Sequence, residues 1–352
     1  METLPLLKKL SEASGPSGYE GAARKIVRSL WEPLADDVRT DALGNLIALQ
    51  KGSGPEPRPV IMAAAHLDEI ALIVTEIEKG FLRFYSLGGV DRRILLGLEV
   101  IVHGKRDLYG IIGTRPPHVL PPSERSKVLF WDKLFIDVGL PEEEVKDLIR
   151  VGDHITFSTP LLELRNGLVS GKAFDNRASV TALTLALETL GHQEHAWDFC
   201  AVATVQEEVG LYGAITSAYG VAPQLAIALD VTFAKQHDDS AAGVFELDKG
   251  PTIAIGPNFH PQVVEQLRKT AGALEIPHYI EPVAGRSGTD AWGIQIAREG
   301  IPTGLLGLPT RYMHQPVETM SLRDIERTGR LLAHFVARLD SDFRPQWEDE
   351  NE

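Results

Sequence analysis

Cysteine is all but missing from this chain: of 352 residues, only Cys200 is one. An intrachain disulfide is excluded, and so is a thiolate cluster around a metal. Cys200, inside "DFCAVATV", reads as a small buried apolar residue. No stretch approaches the roughly 18 uninterrupted apolar residues of a membrane span, and "METLPLLKKLSEASG" holds no run of the length of a signal-peptide core. Positive charge is in deficit too, with a formal net charge of -14 at pH 7. Such a chain carries no overall footprint for phosphate backbones or anionic lipid. The expectation is a soluble, cytoplasmic protein that meets neither nucleic acid nor membrane. A Walker lysine motif, a G-x-S-x-G elbow, internal repeats and low-complexity tracts are absent as well, so phosphate-loop and serine-hydrolase chemistry find no support. Any metal here must be held by histidine and carboxylates.

What is present has two textures. The first forty residues read as helices, with Leu4, Leu7 and Leu10 on one face, then Ala22, Ile26, Val27 and Leu30 on another, broken by "SGPSG". "TDALGNLIALQ" alternates like a strand, and "RPVIMAAAHLDE" is a continuous apolar run ending in polar residues, the pattern of a strand buried on both faces. Between about residues 70 and 165 the chain turns to short β-like runs separated by turns, such as "LRFYSLG", "LEVIVHG" and "DHITFST". The first texture then returns, with buried-type strands alternating with helical stretches. The fold class predicted is α/β, a mostly parallel central sheet flanked by helices in a catalytic domain formed by 1–69 and 166–352. Residues 70–165 form an inserted small β domain. The tail "DFRPQWEDENE" is polar and acidic and is expected to lack regular structure.

Potential metal ligands recur where core strands end. "VIMAAAHLD" ends in His66 and Asp68, "CAVATVQEE" in Glu207 and Glu208, "LAIALD" in Asp230, and "TGLLGLPTRYMH" leads to His314, while Asp175 opens the turn before a helix. In open α/β sheets ligands bind outside the carboxyl ends of the strands, where these residues would converge. Two histidines and several carboxylates suit a divalent ion such as zinc, cobalt or manganese. The adjacent Glu207 and Glu208 are the sharpest signal, because two like charges at the end of a core strand need cations, solvent or a reaction to hold them there. A pair of ions would need a bridging carboxylate, terminal ligands and one carboxylate left free as a base, so one glutamate can bind metal while the other takes the proton. In "HLD", Asp68 lies two residues beyond His66 on an extended segment and can accept the other ring N–H of that histidine. "GRSGTDAWG" is ambiguous: Ser287 or Thr289 can cap a helix with Asp290 in its first turn, or the segment can line the cleft.

In order and spacing, "AHLDEI", "GKAFDNRAS", "VQEEVGLYGA", "ALDVT", "GRSGTDA" and "RYMHQPVE" resemble the tetrahedral (TET) aminopeptidases, the glutamyl, leucyl and lysyl aminopeptidase family of di-metal exopeptidases. The resemblance runs nearly end to end. It implies a phosphopeptidase-like catalytic domain carrying a PDZ-like β insert, used for oligomerisation and substrate access, in a cytoplasmic tetrahedral homododecamer. It makes Asp175 the bridging carboxylate, completes one metal site with His66 and Asp230 and the other with Glu208 and His314, and assigns Glu207 as general base and Asp68 as the residue orienting His66. It also implies a cis Asp175–Asn176 bond. The cofactors expected are two divalent ions per chain, zinc first and cobalt as the alternative; the partners are peptides and further copies of the chain. The function expected is a metal-dependent aminopeptidase. A di-metal deacylase or amidohydrolase, or a non-catalytic peptide-binding module built on the β insert, stands as the rival.

Overall fold

The computed structural model describes residues 1–119, 121–123, 127–237 and 243–346, so residues 347–352 of the acidic tail lie outside the described residues. Two helices open the chain, α1 (Thr3–Ser11) and α2 (Gly21–Trp31). On α1, Leu7 and Leu10 are buried together with Leu6, while Leu4 is only partly covered. On α2 the fully buried residues are Ala23, Val27 and Trp31; Val27 is as expected, Ile26 and Leu30 are partly buried against the same core, and Ala22 is exposed. Trp31 is fully buried and its Nε1–H donates to Thr184 Oγ1 at 2.9 Å, so the stripe centres on the side that carries the indole and Ala22 faces away.

The hairpin β1 (Asp37–Thr40) and β2 (Leu46–Gln50) precedes β3 (Val60–His66). Six strands follow, β4 (Ala71–Glu78), β5 (Phe81–Leu87), β6 (Glu99–His103), β7 (Asp107–Gly113), β8 (Phe135–Asp137) and β9 (His154–Phe157), with α3 (Glu142–Leu148) between the last two. They close into a barrel in the order β4-β5-β8-β7-β6-β9. Along β7 exposed and buried residues alternate, as the pleat requires when one face lines a barrel interior. The interior, with Leu72, Phe84, Val102 and Ile136 among its buried residues, is a core of its own.

The chain then forms β10 (Leu162–Glu163), β11 (Leu168–Gly171), α4 (Phe174–Leu190), β12 (Asp198–Thr204), α5 (Tyr212–Val221), β13 (Leu225–Phe233) and β14 (Thr252–Ile255). After these come α6 (Pro261–Ala273), β15 (Tyr279–Pro282), α7 (Asp290–Gln295), β16 (Thr303–Thr310), β17 (Glu318–Ser321) and α8 (Leu322–Ala337). The main sheet has eight strands in the order β1-β2-β12-β3-β13-β16-β14-β15. It is mixed: β12, β3, β13 and β16 run parallel through its centre, and β2 and β14 join that block antiparallel. The central strands are buried on both faces, which is why "VIMAAAH" and "LAIALD" show no polar alternation. α4 lies between the sheet and α8 and is buried nearly all round. The parallel register sets His66 level with Thr204, and Asp230 level with Gly307, so one edge collects the strand ends.

Among the described residues, no helix is long and apolar enough to cross a membrane.

Candidate metal centre

The structure brings all seven sequence-derived site residues together at the carboxyl ends of the central strands. Asp175 sits in the middle. Its Oδ1 lies 3.0 Å from His66 Nε2, and its Oδ2 lies 3.5 Å from His314 Nε2. Asp230 Oδ1 and Glu207 Oε2 are each 3.8 Å from His66 Nε2, and Glu208 Oε2 is 3.8 Å from His314 Nε2. Among the described residues, three sets of donor atoms fall within 4.8 Å of one another: His66 with Asp175 and Asp230, Asp175 with Glu208 and His314, and His66 with Glu207 and Glu208. The first two share Asp175.

Local backbone aims these side chains. Gln206 (φ 56°) and His314 (φ 60°) both take the left-handed conformation, which turns the chain sharply after β12 and before β17. The Asp175–Asn176 bond is cis, as the resemblance implied. Asp68 has more partners than the H-x-D pattern suggested. His66 Nδ1 lies 3.2 Å from the Asp68 carbonyl oxygen and 3.4 Å from its Oδ1. The carboxylate also accepts the backbone N–H groups of Glu207 and Glu208 at 3.0 and 3.1 Å, and the Ser17 hydroxyl at 2.6 Å. One buried carboxylate therefore fixes the loop carrying both glutamates.

The electrostatics show what the cluster needs. Burial, reinforced by Asp230, Asp290 and Glu208, pushes the Glu207 carboxyl up to about 10, against the opposing pull of His66. Burial and Asp175 push Glu208 up to about 7. Asp230 is raised well above the carboxylate range, again by burial first. His314, hydrogen-bonded to Asp175, is raised to about 9. Asp175 goes the other way: burial would raise it, but hydrogen bonds from His314 and His66 outweigh burial and hold it low. Left to itself the cluster keeps its charge in check by holding protons. Oxygen and imidazole donors that share one carboxylate and bind protons this tightly fit divalent cations, whose binding displaces protons from such ligands.

Sequence reasoning missed several supporting residues. Glu318, fully buried, accepts the backbone N–H groups of Asp175 at 3.0 Å and His314 at 3.1 Å, tying the two together. It lies inside the quoted "RYMHQPVE", four residues after His314, and that short spacing in a turn was the available signal. Glu20, in the N-terminal loop, accepts from Gly18 N at 2.6 Å and Gln206 N at 3.3 Å. Glu69 pairs with Lys172 at 2.6 Å beneath the site, both buried. In "GRSGTDAWG", Thr289 makes no cap bond to α7; its hydroxyl donates to Ser287 Oγ at 2.9 Å. Asp290 is buried, accepts the Thr204 hydroxyl, and is pushed by burial up to about 6.

The chain is similar to known proteins along nearly its whole length. The family profile of M42 glutamyl aminopeptidases matches residues 44–331. The lysyl aminopeptidase of Pyrococcus furiosus is 38% identical over 347 residues, 97% of this chain and 99% of that protein. The TET aminopeptidase from the marine sediment archaeon Thaumarchaeota archaeon SCGC AB-539-E09 superposes with a TM-score of 0.90 at 36% identity, covering 96% of each chain. The TET1 peptidase of Pyrococcus horikoshii, which assembles into a tetrahedron or a large octahedral shell, gives 0.85 at 33% identity, covering 96% of this chain and 100% of that one.

Proposed function

This chain belongs to the M42 glutamyl aminopeptidase family of peptide-bond hydrolases, and from that footing we propose that it removes residues from the free N-terminus of peptides with two divalent ions, zinc first and cobalt as the alternative. The observation that carries the two-ion reading is Asp175, whose two oxygens face different histidines in two donor sets. His66 and Asp230 would complete one set, and Glu208 and His314 the other. When bound, such ions polarise the scissile carbonyl and make water a better nucleophile near neutral pH.

The chain's own residues supply the rest. Glu207, part of no donor set that includes Asp175, accepts a proton from the attacking water and later delivers it to the leaving amine. In the ion-free chain burial favours the protonated carboxyl; two cations beside Glu207 would oppose burial and favour the carboxylate that a base must be. Asp68 fixes the Glu207 and Glu208 backbone and keeps His66 in one orientation.

The domain division we adopt is a catalytic unit of 1–69 and 166–352 and an inserted unit of 70–165. We extend to this chain self-association into a closed shell of twelve subunits, by analogy with one solved relative that is a dodecamer and another that assembles into a tetrahedron or a large octahedral shell. Exposed apolar side chains on the inserted unit, Tyr109 and Phe130 at 73% and 65% exposure, support it as a contact surface. We place the enzyme in the cytoplasm. The test is hydrolysis of aminoacyl chromogenic amides before chelation, after it, and after zinc or cobalt is returned, beside the metal content per chain and the mass in solution. Restored cleavage with two ions per chain supports the reading; cleavage indifferent to chelation overturns it.

A further inference from the structure

Beside the metal centre, and continuous with it, is a cavity of about 270 Å³. A cavity of that volume has room for several waters, and so for one amino-acid side chain. His66, Asp175, Glu207, Asp230 and His314 are among its lining residues. Val231, Phe233, Val283, Leu305 and Met313 supply apolar walls, and a further carboxylate, Glu281, stands at the lining away from the ligand sets.

Two hydroxyl groups hold Glu281 in place. Its Oε1 accepts the Thr232 hydroxyl at 2.7 Å and its Oε2 accepts the Thr252 hydroxyl at 2.5 Å. Each oxygen keeps a lone pair for another donor. Among the described residues the cavity lining contains no lysine or arginine. Arg286, close by in sequence, lays its guanidinium over the Trp292 ring at 5.3 Å. Gly307, also in the lining, leaves room for the Thr252 and Glu281 pair: a Cβ there would lie 2.3 Å from Thr252 Oγ1 and 3.2 Å from Glu281 Oε2.

Distance sets what reaches this carboxylate. Asp230 and Thr232 are two apart on β13, so both face the same side, about 6.6 Å apart along the strand. Asp230 belongs to the metal centre, whereas Thr232 is bonded to Glu281. A side chain that starts beside the ligands and ends at Glu281 must be long, apolar along its stem and cationic at its tip.

Resting on the aminopeptidase reading, we infer that Glu281 selects peptides whose N-terminal residue is lysine or arginine. The stem packs on the apolar walls and the charged head takes the free lone pairs of Glu281.

The experiment compares kcat/KM of the metal-loaded enzyme on lysyl, arginyl, norleucyl and glutamyl nitroanilides, in the native protein and in Glu281→Gln. Norleucine keeps the stem of lysine and lacks its charge. Binding of free L-lysine and L-norleucine is measured in parallel by calorimetry. A charge-assisted contact is expected to favour lysine over norleucine by about tenfold or more, with the ratio collapsing in Glu281→Gln mainly through KM. Norleucine equal to lysine in the native enzyme overturns the inference. So does an equal loss on both substrates in the variant, which would mean that Glu281 anchors the α-amino group or merely supports the sheet. If no amide is cleaved by fully loaded protein, the aminopeptidase reading is what fails, and calorimetric preference for lysine, or its lack, still decides the role of Glu281.

Discussion

His314 Nδ1 lies 3.1 Å from the carbonyl oxygen of Gly89, a residue 225 positions away in the segment between β5 and β6. The barrel thus reaches into the main domain and orients a metal-ligand candidate through its second ring nitrogen. A Cβ on residue 89 would come within 2.5 Å of that same nitrogen. Gly89→Ala should therefore displace the imidazole and weaken one ion by about 10–100-fold. Chelator competition read as zinc per chain checks this, and unchanged affinity would show that the contact does not orient the ring.

Glu207→Gln preserves size and removes the base. The variant should bind both ions as the native chain does and lose about 10²–10⁴ in kcat. Single-turnover hydrolysis beside metal analysis separates the two effects; native kcat would take Glu207 out of the mechanism.

Asp68 should matter for stability as well as for activity. Asp68→Ala strips acceptors from Ser17 and from the backbone N–H groups of Glu207 and Glu208, at a cost of about 1–3 kcal/mol for each buried donor left unpaired. Denaturant unfolding of the metal-free protein measures the loss apart from catalysis.

Lys172→Met would leave Glu69 buried opposite an apolar stem, with Arg177 Nη2 the next cation at 3.9 Å. Breaking one partner of a buried pair typically costs about 3–5 kcal/mol. A loss well under that range in equilibrium unfolding would mean that Arg177 takes over the charge.

The pH dependence has a definite sign. Glu207, Glu208 and His314 are raised in the metal-free chain, to about 10, 7 and 9. A raised group adds stability that is complete below its unfolded value, about 4.5 for the glutamates and 6.5 for histidine, and that is lost as pH climbs through the folded values. Asp175 is lowered, so its contribution is already complete in that window. Divalent ions replace those protons, and the rise in melting temperature on adding zinc should grow between about pH 6 and pH 8.5. A pH-independent rise would contradict a proton-loaded cluster.

Which polar residues gather at the sheet edge was readable along the chain, because a buried parallel strand is a continuous apolar run and the polar residue that ends it sits at that edge. His66, Glu207, Glu208 and Asp230 were legible for that reason, and the β insert was legible from its short, turn-separated runs. Tertiary structure decided the rest. The burial of Trp31 centred the inward face of α2 on Ala23, Val27 and Trp31, leaving Ala22 outside it. Asp68 acquired Ser17 and two backbone amides as partners because distant loops fold onto it. Glu281, Thr232, Thr252 and Gly307 come from four different strands, and only sheet register brings them to one cavity beside Asp230. Periodicity along a chain reports which side a residue faces; which residue it faces there depends on how strands far apart in sequence are ordered across the sheet.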